Sequence, residues 1–354
     1  MKKRVYWVDV MKYICIMFVM YSHTDFDTNV MKGFYYNFYL FGFFFASGYV
    51  YKHKEGFKDF LIKKSRGLLI PWLLFGLANI LIDQVASFDA KSSLSEDIKH
   101  MFLQVRGLDD KMWFLSALFV AFIPFYFFIR KYEQSEKKNA DKYKLIGISF
   151  ALYLISNAYS YYMNPDLLPW KATGLPWHIE YMFVAMFFMV LGYLFKDWEV
   201  NYDSIRSAVK IGVIVFNIGL ICAAIVIGGV HENGITDIIY SLVAELSAIF
   251  GLVYICKLIK PNKYISYIGE NTLICFGVHG KCFSVMQQII KKISPSFYSN
   301  ITSSTIYSIL FGLVFVIVLS FVLIIPIYII NRWFPFMLGK PMTNFGKRKQ
   351  ANTK

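Results

Sequence analysis

The chain has 354 residues, 57% of them hydrophobic and 19% aromatic. Only 17% are charged, where an ordinary soluble domain carries about a quarter, and the mean hydropathy is +0.47. This composition excludes a soluble globular fold and points to an all-α polytopic membrane protein. A net charge of +14 would suit a nucleic-acid binder, but its placement along the chain argues against that.

A membrane-spanning helix needs about 20 mostly apolar residues. Ten segments are candidates: 5–23, 34–51, 67–86, 112–130, 144–163, 177–195, 208–230, 236–257, 265–290 and 305–331. The second is short and the ninth is interrupted by polar residues. With the N-terminus inside, 27 of the 37 Lys and Arg fall in inner segments, nine fall outside and Lys12 lies within the first span. This bias predicts about ten transmembrane helices with both termini cytoplasmic. It also makes the positive charge topological, so no nucleic-acid partner is expected. The start, MKKR before an apolar run, mimics a signal peptide. Asp9 and Lys12 break its apolar core and no small-residue cleavage site follows, so it reads as retained.

The first segment, VYWVDVMKYICIMFVMYSH, carries Asp9, Lys12 and His23. Eleven positions bring Lys12 and His23 within about 20° of one another on a helix, separated by about 16 Å of rise. Asp9 lies about 40° off the same line. Ionisable groups in a bilayer usually face the protein interior and are functional candidates by default. Asp9 and Lys12, three apart, are spaced to pair. His23 reads either as an interfacial histidine or as a proton-transfer group, the chemistry to which imidazole is best suited near neutral pH.

In the second segment, FFFASGYV sets Ser47 and Gly48 near the inner end, where small residues permit close helix approach. The densest basic cluster follows: Lys52, Lys54 and Lys58, then KKSRGLLIPW with Lys63, Lys64 and Arg66. Solvated lysines facing anionic lipid account for part of it, whereas Arg66, at the entry to the third segment, is suited to clamp a phosphate. Trp113, in MWFLS, reads as an interfacial belt residue or part of a site. His178 and Glu180, in PWHIE, either meet an acceptor or hydrate the interface. Gly269, Asn271 and Thr272 lead into CFGVHG, which puts His279 inside the ninth segment. The five cysteines lie mostly in apolar runs without metal-ligand spacing, so they read as buried apolar side chains and no metal is expected. No HExxH, nucleotide-binding loop or GxSxG occurs, which leaves zinc hydrolysis, ATP use and a conventional serine hydrolase without support.

Taken together, these motifs resemble the acyltransferase-3 family of integral membrane O-acyltransferases, especially its fucose 4-O-acetylase-like branch. The family opens with a basic residue, ten residues and a histidine, similar here to Lys12 and His23. Its SGY element resembles Phe43 to Tyr49, and its RLLIPY-like entry resembles Arg66 to Trp72. Its WFL element resembles Trp113 to Leu115, and its GxNSL…H element resembles Gly269, Asn271, Thr272, Leu273 and His279. The likeness spans residues 1 to about 335, which sets a membrane acyltransferase domain at 1–335 and a basic cytoplasmic tail at 336–354. Lys12 stands where arginine is commoner, losing bidentate geometry, and Thr272 stands for the usual serine.

The resemblance implies transfer of an acyl group, usually acetyl, from cytoplasmic acetyl-CoA to a glycan hydroxyl outside. His23 would act as general base or transient acyl carrier, and His279 would also belong to the catalytic set. Lys12 and Asp9 would line the thioester path. Lys63, Lys64 and Arg66 would hold the CoA phosphates, with Ser47 on the same route. Trp113, Asn271, His178 and Glu180 would meet the acceptor. Some relatives carry a fused outer hydrolase-like domain. Without one, this chain is expected to finish the transfer or hand it to a partner. The expected setting is the plasma or inner membrane, with membrane lipid, a glycan acceptor, acyl-CoA and a second copy or a glycan-assembly protein as partners. Two rival readings use the same residues differently: an exporter or flippase of acyl groups or glycan intermediates, and a non-catalytic subunit of a glycan synthase.

Overall fold

The computed structural model describes residues 5–86, 93–108, 111–226 and 234–340. The MKKR start, Lys91, the end of the seventh predicted segment and the tail from 341 lie outside the described residues. The described residues are helical, without strands. Helix α1 (Tyr6–Ser22) is followed by the short α2 (Asn29–Tyr35), α3 (Tyr39–Val50) and α4 (Phe57–Lys64). A π-helical turn, Ser65–Leu69, leads into α5 (Ile70–Ala86). Next come α6 (Leu94–Leu103), α7 (Trp113–Glu133), α8 (Lys138–Tyr162), α9 (Met182–Ser204), α10 (Ser207–Val226) and α11 (Gly234–Leu258). The chain closes with α12 (Lys263–Glu270), α13 (Thr272–Ile293), α14 (Pro295–Thr302), α15 (Thr305–Val322) and α16 (Ile324–Trp333).

Among the described residues, seven helical stretches are long and apolar enough to cross a membrane: Phe57–Ala86, Trp113–Glu133, Pro176–Ser204, Ser207–Val226, Thr236–Leu258, Thr272–Ile293 and Thr305–Trp333. The protein is thus a helical polytopic membrane protein. Helices α1, α3 and α8, which cover the other three predicted segments, fall outside that set. α1 has 17 residues with Asp9 and Lys12 among them, α3 has 12, and α8 opens on the charged KNADKYK.

Elsewhere the helices break at polar punctuation. The segment predicted at 34–51 splits because the chain turns at Tyr36–Phe38, where Asn37 Nδ2 donates to the Gly33 carbonyl. The segment predicted at 265–290 splits at Asn271, whose backbone leaves helical geometry. Between the segments predicted at 67–86 and 112–130 lies α6. A capping box starts this helix: Ser93 Oγ accepts from the Glu96 N–H, and the Glu96 carboxylate accepts from the Ser93 N–H.

α1 is the central strut, packed by α3, α11, α12, α13 and α15. Its buried side includes Trp7, Asp9, Met11, Cys15, Ile16 and Tyr21. A polar clamp holds its first turn. Trp7 Nε1 and Tyr49 OH both donate to Glu199, at 3.0 and 2.5 Å, while Lys257 pairs with Glu199 at 2.6 Å and Asp203 at 2.7 Å. The tightest crossing joins α3 to α9. A Cβ on Gly48 would collide with the Met189 carbonyl, and one on Gly192 with the Phe45 carbonyl. The glycine of the SGY element is therefore required for backbone contact.

Candidate active site

At the end of the bundle opposite Tyr6, α1 stops at His23, whose backbone N–H still bonds to the Met20 carbonyl. The turn after it is pinned from several sides. Tyr21 OH donates to the Phe26 carbonyl at 3.0 Å, and Thr24 Oγ1 donates to the Tyr21 carbonyl at 2.8 Å. Asp25 Oδ2 accepts from Lys291 at 3.1 Å and from Gln287 and Tyr298. Asp27 accepts from Tyr35 at 2.8 Å and lies 3.8 Å from Lys32. Burial pushes the Asp27 carboxyl up, and these two partners only partly oppose the shift.

Asp25 thereby ties the His23 turn to α13, the helix that carries His279. The two imidazoles face each other with centroids 5.0 Å apart and planes tilted by 49°. His279 is buried and His23 is exposed. His279 Nδ1 lies 3.0 Å from both the Cys275 and Phe276 carbonyls. A carbonyl only accepts, so Nδ1 carries the proton and Nε2 keeps a lone pair.

A row of rings leads from this pair to a second feature. The His279 ring lies 6.1 Å from Phe276, Phe276 is 5.9 Å from Phe114, and Trp113 is 5.1 Å from His178. The backbone here is strained. Met112, immediately before Trp113, has φ 61°, and Trp177 and His178 have φ 61° and 54°. Left-handed geometry in such residues costs of order 1–3 kcal/mol each and clusters at functional sites. Glu180 stabilises that turn, with one oxygen 3.5 Å from His178 Nδ1 and the other accepting from the Leu175 N–H at 2.9 Å. Gln104, itself at φ 50° and fully buried, completes the support: it donates to the Lys111 carbonyl and accepts from Ser116 Oγ at 2.9 Å.

Near the other end, Asp9 is buried and pairs with Lys12 at 3.2 Å. A Cβ on Gly269 would strike the Asp9 carbonyl, so α12 rests directly on α1 there. Asn271 belongs to this half. It accepts from Asn331 at 2.7 Å, and Asn331 in turn accepts from Lys340 at 3.3 Å. The structure therefore joins Trp113, His178 and Glu180 but keeps Asn271 apart from them.

The basic cluster also divides. Lys63 pairs with Glu55 at 2.6 Å. The Lys64 ammonium lies 3.3 Å from the Phe122 ring centroid, with Tyr51 and Phe60 beside it. Arg66 lines a cavity of about 460 Å³ with Lys63, Glu55, Asp59 and Gly339. Arg66 sits in the π-helical turn, a distortion frequent at functional sites. Lys64 is absent from that lining. Ser47 is half-buried beside Gly48 on α3.

Three groups escaped the sequence reading. Asp83 is buried on α5, bonded to Lys111 at 2.9 Å and to Lys281. Glu245 is buried on α11 and accepts from Tyr153 OH at 2.8 Å. Asn331 bridges Asn271 and Lys340. The signal for the first two was in plain view: a carboxylate inside an apolar run.

No curated protein and no solved structure matches the chain. The family described as an acyltransferase domain matches residues 5–325, covering the histidine pair, the strained turns and the Arg66 turn alike. On that match the chain belongs to the acyltransferase-3 family and is a membrane acyltransferase.

Proposed function

We propose that the chain is an O-acetyltransferase. It moves acetyl from cytoplasmic acetyl-CoA to a hydroxyl of a cell-surface polysaccharide, or of its lipid-linked precursor, across the plasma or inner membrane. The fucose 4-O-acetylase-like branch belongs to this reading. So do ten spans, with the Tyr6 end of the bundle facing the cytoplasm. The observation that carries it is the His23–His279 pair, with the tautomer of His279 fixed by two carbonyls.

His23 removes the proton from the acceptor hydroxyl as the oxygen attacks the thioester carbonyl. The C–S bond breaks, the ester forms, and the imidazolium returns its proton to the departing thiolate. His279 offers its Nε2 lone pair to orient the His23 ring. The strained Trp113–His178 region lies one row of rings away and positions the acceptor, with Glu180 holding its turn. Arg66 and Lys63 hold the donor's phosphates at the opposite end. Lys64 packs behind them against its rings. Asp9, Lys12, Ser47 and Asn271 line the way between.

The test uses purified protein in liposomes with radiolabelled acetyl-CoA on the Arg66 side and a surface-glycan acceptor on the other. His23→Ala should cut transfer by on the order of 10²–10⁴-fold, the usual weight of a general base, while insertion and melting stay normal. Label crossing unattached, or transfer indifferent to His23, would move the assignment to an exporter or an accessory subunit.

A further inference from the structure

On another side of the same end of the bundle, a cavity of about 660 Å³ opens between α2, α10 and α11. Its size falls within the range of about 300–1,000 Å³ typical of small-molecule sites. α11 presents Asp237, Tyr240, Ser241 and Glu245 to it. Spacings of three, four and eight put these polar residues on one helix face, and that helix is apolar enough to span a membrane. Facing them, Tyr36 and Asn37 contribute from the α2–α3 corner.

Polar groups buried in a membrane helix are costly and mark ligand or ion paths. Packing accounts for part of Glu245, through Tyr153 OH at 2.8 Å. A carboxylate has about four acceptor positions, however, and Glu245 lines the cavity.

We infer that this cavity is a binding site for an uncharged saccharide, separate from the Trp113–His178 region. Hydroxyl groups both donate and accept, so they match the Glu245 carboxyl and the two-way amide of Asn37 together. Tyr36 and Tyr240 supply rigid rings with polar tips for the sugar's apolar faces. An acyl tail would offer no partner to the remaining hydrogen-bonding positions of the Glu245 carboxyl. A free cation would meet Lys32 in the same lining. Asn29, another lining residue, is six positions past His23, so it lies within about 22 Å of it. The site would thus grip a neighbouring unit of the glycan being modified, a link that rests on the proposed transfer, whereas binding itself does not.

The experiment measures binding without acyl donor, by calorimetry and saturation-transfer NMR on protein in nanodiscs, with maltotriose and chitotriose as probes. Wild type should bind at least one saturably. Glu245→Gln should weaken that binding by about tenfold, the scale of one charge-assisted hydrogen bond. Ala224→Phe, which fills the cavity from a half-exposed position on α10, should abolish it without lowering the melting temperature. His23→Ala should bind like wild type, so loss of transfer with binding retained affects only the function proposed above. Absence of saturable binding in wild type, or binding untouched by Ala224→Phe, overturns the inference. So does a co-purified lipid that Ala224→Phe expels while neither sugar binds.

Discussion

Replacing His279 by phenylalanine keeps an aromatic ring in the row beside Phe276 and removes both nitrogens. The stability cost is small. One N–H shared between two carbonyls at 3.0 Å has a net worth of about 0.5–1.5 kcal/mol, a few degrees of melting temperature at most. Catalysis should suffer more, because on the proposed mechanism the His279 lone pair orients the His23 ring. A misplacement of about 1 Å at a reacting group can cost about 10²-fold. We therefore expect kcat for acetyl transfer to fall by about 10²-fold, with the KM for acetyl-CoA unchanged, since Arg66 lies at the other end of the bundle. The double variant His23→Ala/His279→Phe should be no slower than His23→Ala alone, because a positioning group has nothing left to position. Liposome transfer assays beside melting curves in detergent decide the matter. A His279→Phe protein with wild-type kcat, or a double variant with fully additive losses, would refute the reasoning.

Other expectations follow from the same geometry. Asp25→Ala releases the His23 turn from Gln287, Lys291 and Tyr298, and should lower kcat by about tenfold with little change in melting, since an exposed ion pair contributes at most about 1 kcal/mol; an unchanged kcat counts against the clamp. Arg66→Ala should raise the KM for acetyl-CoA, whereas Lys64→Met should mainly cost stability, about 0.5–2 kcal/mol for the ammonium over Phe122; the reverse pattern in steady-state kinetics would return Lys64 to the donor site. Gly192→Ala should destabilise by about 1–3 kcal/mol, as overpacking against a backbone carbonyl does, and a melting temperature equal to wild type would show that α3 and α9 can separate.

Much of this arrangement was legible in the sequence, because the bilayer makes ionisable residues conspicuous. Asp9, Lys12, His23 and His279 stood out against apolar surroundings, and the three-residue spacing anticipated the Asp9–Lys12 pair, whereas the meeting of His279 with His23 was not legible there. Gly48 was legible for a related reason: a small residue within FFFASGYV has little use except close packing. What stayed hidden depends on long-range contact. Nothing in KKSRGLL says that Lys64 turns into a cage of Tyr51, Phe60 and Phe122 while Arg66 faces a cavity, since the cage comes from three separate elements. Asn271 follows the same rule: its partner, Asn331, is 60 residues away. The left-handed backbone at Trp177 and His178 breaks local preference outright, and strain of that kind is set by the surrounding fold rather than by the residues that bear it.

The two ends of the site pose one geometric demand. The residues on either side of His279 meet α5 at Asn79 and Asp83, roughly 20 Å of helical rise beyond Arg66, so on the proposed mechanism phosphates at Arg66 and a hydroxyl beside His23 would lie about that far apart. On that mechanism the donor's anchored end would not touch the acceptor, and its thioester arm would thread the interior. α1 is suited to line the route, because it is central and carries Lys12 and Asp9 in its Tyr6 half, paired within the apolar interior. That pairing also explains why lysine serves where arginine is commoner. A single ammonium beside a carboxylate satisfies the charge without the planar fork, and it leaves a slimmer side chain along the path. Lys12→Arg should therefore keep folding intact and slow transfer through crowding, whereas Lys12→Met should remove the ion pair to buried Asp9 and lower stability as well; melting curves set beside transfer rates separate the two.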